Sequence, residues 1–181
     1  MNKKREPTDG DNVTSRLFLR FFICYLIATP VAVLCALRGV LQVSFERAGL
    51  VEFLFVPLAL LGALLTVTKP YLLLLSAAKA FYDVAILYQV TQWTRLGAIG
   101  ILPWNACFFL LVFSLLLFSL AAARAELFSF LCTARDTRLI FSRPFGRYLL
   151  EGLLFTALAL SLYYLVPEIL ATFGMISIPF S

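Results

Sequence analysis

Five apolar runs, each close to twenty residues long, divide this sequence, and short charged segments separate them. An α-helix rises about 1.5 Å per residue, so about 20 residues match the roughly 30 Å hydrocarbon core of a bilayer. A backbone in lipid must satisfy its own polar groups, which leaves helices or closed barrels as spanning structures. Continuous apolar runs, rather than apolar–polar alternation, select helices. Composition agrees: 62% of the residues are hydrophobic, against about 45–50% in soluble domains. A chain of 181 residues cannot bury that surplus against itself. The expectation is an all-α integral membrane helical bundle of about five transmembrane helices, with the lipid bilayer as its apolar partner.

The boundaries follow from charge, proline and glycine. Residues 1–16, MNKKREPTDGDNVTSR, read as a polar, disordered tail on the cytoplasmic side. Everything from 17 to 181 reads as one membrane domain, with helices expected at about 17–37, 50–68, 71–90, 103–123 and 148–166. Pro30 is expected to kink the first helix. That helix lacks a small-residue cleavage site before Arg38, so it is expected to stay in the chain. Glu52 is expected at the outer end of the second helix. Lys69-Pro70 should end the second helix and open the third, giving an antiparallel hairpin. Residues 91–102, TQWTRLGAIGIL, fit either an exposed loop or a re-entrant segment. The charged stretch 124–147 is expected on the cytoplasmic side, helical at first and then broken at Pro144. The fifth helix should end near Pro167, before a charge-free tail.

Basic residues set the orientation. Lys3, Lys4, Arg5, Arg16, Lys69, Arg124, Arg135, Arg138, Arg143 and Arg147 fall on one side, while Arg38, Arg47 and Arg95 fall on the other. The expectation is a multi-pass protein of the cytoplasmic membrane, N-terminus inside and C-terminus outside.

Few residues suggest chemistry. The chain has no histidine, which removes the commonest general base and transition-metal ligand. No phosphate loop, dinucleotide fingerprint or nucleophile elbow is present. Cys24, Cys35, Cys107 and Cys132 form no Cys-x-x-Cys pair, and the first three sit inside apolar runs as small apolar residues. No enzyme activity, cofactor, metal site or nucleic-acid partner is therefore expected, and the net charge of +5 reads as a topology signal.

The sharpest candidate is Lys79 with Asp83. Four residues apart near the middle of the third span, they share a helix face and can pair inside the bundle. Such a pair either fixes helix packing or marks an ion or proton pathway. As a single pair without other intramembrane carboxylates it would make a poor relay. Ser76 lies one turn earlier on that face. Pro103, Trp104 and Asn105 read as a helix start at the membrane interface, with Trp104 in the aromatic belt and Asn105 available for capping or helix–helix bonding. Arg147 and Glu151 repeat the four-residue spacing as a structural pair. Arg135, Arg138, Arg143 and Arg147 form a cytoplasmic basic cluster, able to set topology or to meet anionic headgroups.

The runs KPYLLLLSAAKAFYDVAILYQV and GILPWNACFFLLVFSLLLFSLAAAR resemble the stage II sporulation protein M family. Pro70, Lys79, Leu102, Pro103 and Asn105 fall on that family's short motifs, Arg147-Tyr148 and Val166-Pro167 resemble its last helix, and Ala80 stands where it favours glycine. The resemblance covers about residues 65–170. It implies a bacterial membrane scaffold without catalytic activity, which recruits or localises extracytoplasmic cell-wall hydrolases during engulfment in sporulation. Segments 38–49 and 169–181 are the expected outer docking surface. The alternative is a small transporter or permease subunit built around Lys79 and Asp83.

Overall fold

A computed structural model describes residues 9–41, 48–65, 67–93, 101–134 and 143–172. These form α1 (Asp9–Leu37), α2 (Ala48–Leu61), a single 3-10 turn (Gly62–Leu64), α3 (Thr68–Trp93), α4 (Ile101–Ala134) and α5 (Arg143–Thr172). No strand occurs among the described residues. The fold is all-α, as the apolar runs require. Among the described residues, four apolar spans are long enough to cross a membrane: Val13–Leu37, Thr68–Thr91, Trp104–Phe130 and Phe145–Val166. The fifth apolar segment, Ala48–Leu64, is shorter. With its 3-10 turn it reaches roughly 27 Å, just under the hydrocarbon thickness.

The helix ends correct several expectations. α1 ends at Leu37 as expected, and its stop has a visible cause. Gly39 takes a positive φ of 70°. Its N–H bonds Ala36 O at 2.9 Å and the Val40 N–H bonds Cys35 O at 3.1 Å. This is the paired pattern of a glycine-ended helix. The other end starts eight residues earlier than the apolar run, at Asp9, because extending an existing helix into polar sequence costs little. α1 continues through Pro30, and Thr29 Oγ1 donates to Tyr25 O at 2.9 Å beside it.

α2 stops at Leu61 rather than Thr68, because the chain tightens into the 3-10 turn and then extends at Leu65. Thr68 Oγ1 donates back to Leu65 O at 2.7 Å, and Pro70 falls within the first turn of α3, where a missing N–H is harmless. α4 is continuous from Ile101 to Ala134, absorbing the first part of the charged segment into the helix. α5 begins at Arg143, with Pro144 in its first turn. It runs through Pro167 to Thr172 at the cost of one backbone bond.

Consecutive helices alternate in direction. Tyr82 reaches Ala48 O and Tyr71 reaches Leu58 O, so α2 and α3 are the antiparallel hairpin that Lys69-Pro70 announces. α2 nevertheless packs more extensively along α5, and α3 along α1, while α4 touches all four other helices. Ala121, Ala122, Ala123 and Ala125 of α4 are completely buried, and such small side chains let neighbouring helices approach closely. Phe21, Phe55, Val56, Leu72 and Phe118 fill the space around them. Outward, Ile27, Leu74, Phe109 and Leu150 are each about 70% exposed, an apolar exterior compatible with lipid contact. The alternation gathers Arg20, Lys69, Arg124 and Arg147 toward one end of the bundle, and Trp104 with Val90 and Cys107 toward the other.

Candidate functional site: a buried ionic centre

α2 begins deep in the bundle. Its first residue, Ala48, is fully buried and its carbonyl accepts the Tyr82 hydroxyl at 3.2 Å. The first turn of α2 therefore lies beside the middle of α3, not at the bundle's outer edge. One turn into α2, Glu52 meets Lys79: Nζ donates to Glu52 Oε2 at 2.8 Å. The same ammonium donates to Asp83 Oδ1 at 3.0 Å, the i,i+4 contact read from the spacing. All three side chains have zero exposure. Glu52, one turn from the start of α2 as expected, thus sits buried in the interior because that end of the helix is itself buried. The centre holds two carboxylates, so the expectation of a lone Lys–Asp pair is corrected.

Two further helices close the centre. Tyr25 of α1 donates to Asp83 Oδ2 at 2.9 Å, and Ser114 of α4 donates to Glu52 Oε2. The Lys79 ammonium also lies 5.2 Å from the centroid of the Phe55 ring, a cation–π distance. An ammonium has three donors and no acceptor; two are bonded to carboxylates and the charge faces an aromatic surface. Four helices thereby contribute side chains to one point. The carboxylates outnumber the ammonium, and Glu52 Oε1 has no hydrogen-bond partner among the described residues.

Ser76 does not join this centre. It is buried and donates to Phe21 O at 2.8 Å, fastening α3 to α1 instead. Trp104 Nε1 donates to Thr91 Oγ1 at 3.2 Å and its ring stacks on Phe108 at 5.4 Å, tying the start of α4 to the end of α3. Pro103 lies in the first turn of α4 and Asn105 is exposed. Arg147 and Glu151 pair at 2.9 Å, and Glu151 also binds Arg124 of α4 at 3.2 Å. Arg143 opens α5, while Arg135 and Arg138 lie outside the described residues, so the basic cluster is described only at its α5 side. Segment 42–47 and residues 173–181, parts of the expected docking surface, also lie outside them, as do residues 94–100 of the loop or re-entrant segment. Cys24, Cys35 and Cys107 are free thiols.

Sequence reasoning missed Glu52, Tyr25 and Ser114 as members of the centre. The available signal was the charge of Glu52 within an apolar run, which has to be neutralised somewhere. The fold and this centre define a multi-pass helical membrane protein with an intramembrane ionic core. No protein-family model, curated protein or solved structure matches the chain.

Proposed function

We propose that this protein is a non-enzymatic membrane scaffold of the bacterial cytoplasmic membrane, whose ionic centre holds the helices as one rigid platform. The observation that carries this reading is the meeting of buried Glu52, Lys79, Asp83 and Ser114 with half-buried Tyr25, from four helices, at one point. A buried charge that loses its partner costs several kcal/mol, about 3–5. The centre therefore penalises any helix displacement that separates its members. The gathering of basic residues at one end supports placing that end, with the N-terminus, in the cytoplasm. The family resemblance supplies the partner class: extracytoplasmic cell-wall hydrolases acting in sporulation.

A second reading, a small transporter or permease subunit, is favoured by the unequal charge count. Two carboxylates on one ammonium exceed what a static pair needs, and the free Glu52 Oε1 offers a place for a proton or small cation.

In-cell crosslinking of the full chain, followed by partner identification, separates the two. Envelope hydrolases captured by wild type, and captured less by Lys79→Met than by a charge-free centre (Glu52→Gln, Lys79→Met, Asp83→Asn), support the scaffold. Capture of an ATPase or soluble binding protein, with activity abolished in the charge-free variant at normal abundance, overturns it in favour of transport.

A further inference from the structure

At the basic end of the bundle, a cleft of about 650 Å³ opens between the start of α1, the α2–α3 turn and the last turns of α4. Its walls have two characters. Leu17 and Phe130 contribute apolar surface to the lining, while Arg20, Lys69 and Glu126 contribute charge. The first apolar run begins at Leu17, Lys69-Pro70 separates the second from the third, and the fourth gives way to Arg124 and Glu126. Leu17, Lys69, Pro70 and Glu126 all line the cleft. It therefore lies at the level where hydrocarbon gives way to headgroups.

The charges do not cancel. Arg20 Nη1 donates to Glu126 Oε1 at 2.7 Å, and Lys69 Nζ stands 3.9 Å from the same oxygen. Among the described residues lining the cleft, one nearly buried carboxylate thus faces two cations, which leaves one positive charge. The Arg20 and Lys69 side chains are 47% and 69% exposed, so both keep donor capacity toward the cleft. A guanidinium has five N–H donors, and Glu126 holds it in place. Long basic side chains at a span boundary lay their stems on apolar surface and present their heads at the interface.

We propose that this cleft binds one anionic glycerophospholipid. Its phosphate meets Arg20 and Lys69 as charge-assisted hydrogen bonds, and its apolar part covers the surface that Leu17 and Phe130 supply. Charge complementarity selects the occupant: a zwitterionic lipid leaves the surplus positive charge unmatched. A free phosphate leaves that apolar surface uncovered and gains nothing from it.

The test uses the full chain, purified in detergent and stripped of lipid, then titrated with phosphatidylglycerol or phosphatidylcholine under native mass spectrometry. Phosphatidylglycerol is expected to bind as a single tight equivalent, about tenfold better than phosphatidylcholine. Excess inorganic phosphate should not displace it. Lys69→Gln, at an exposed position, should erase the preference for the anionic lipid. Leu17→Trp fills the apolar part of the cleft without touching a charge and should weaken the tight equivalent. Equal affinity for the two lipids, displacement by inorganic phosphate, or an unchanged preference in Lys69→Gln together with unchanged binding in Leu17→Trp overturns the assignment.

Discussion

Lys79→Met should be more damaging than removing all three charges of the centre together. In the single variant Glu52 and Asp83 remain, both with zero exposure, and each loses the ammonium it bonds at 2.8 or 3.0 Å. Breaking a buried ion pair from one side costs about 3–5 kcal/mol. Two stranded carboxylates place this variant at the upper end. In the triple variant Glu52→Gln, Lys79→Met, Asp83→Asn, no charge remains. The two amide oxygens still accept from Ser114 and Tyr25, the donors they have now. What is left is the cost of incompletely bonded amide N–H groups, about 1–3 kcal/mol. For a chain of this length 1 kcal/mol corresponds to about 2–4 °C in melting temperature. The single variant should therefore melt about 10–20 °C below wild type and the triple variant clearly above the single. Thermal unfolding in detergent, read by tryptophan fluorescence and by loss of the monodisperse peak, measures both. Membrane abundance in cells should follow the same order. If the triple variant melts no higher than Lys79→Met, electrostatic coupling does not hold the centre together and the reasoning fails.

Other consequences are independent of that centre. A Cβ at Gly62 would lie 2.8 Å from Tyr71 Cε1 and 3.0 Å from Leu72 Cδ2, so Gly62→Ala should destabilise by about 1–3 kcal/mol. The same change at Gly152 meets only the Leu60 side chain, Cδ1 at 3.5 Å and Cδ2 at 3.9 Å, and should be neutral or stabilising by up to about 1 kcal/mol; equal melting shifts for the two would contradict this packing. Arg147 is 76% exposed, so Arg147→Ala should shift stability by no more than about 1 kcal/mol in the same assay. A reporter fused after Ser181 should lie outside the cell and one inserted between Arg135 and Arg143 inside; both on one side would break the odd-span topology.

Much of this architecture was determined by the sequence alone, because the bilayer imposes one strict condition. A segment of about 20 apolar residues must be a helix to satisfy its backbone. The runs around Phe21, Leu74, Leu115 and Leu158 therefore announced their helices, and the Lys79–Asp83 contact was legible because i,i+4 geometry is local to one helix. Helix ends were less legible. Whether α4 stops near Ala123 or continues to Ala134, and whether α5 passes Pro167, depends on neighbouring packing more than on hydropathy. Between helices the sequence was silent. Glu52 and Lys79 are 27 positions apart and Arg20 and Glu126 are 106 apart. Nothing in a one-dimensional pattern states the register at which two helices slide past each other. Only the tertiary structure decided that α2 starts level with the middle of α3, which carries Glu52 into the interior. The physical reason is that axial register is set by side chains packing across the interface, such as Phe55 on Phe118 and Tyr82 on Ala48 O, and those partners exist only once the helices have met.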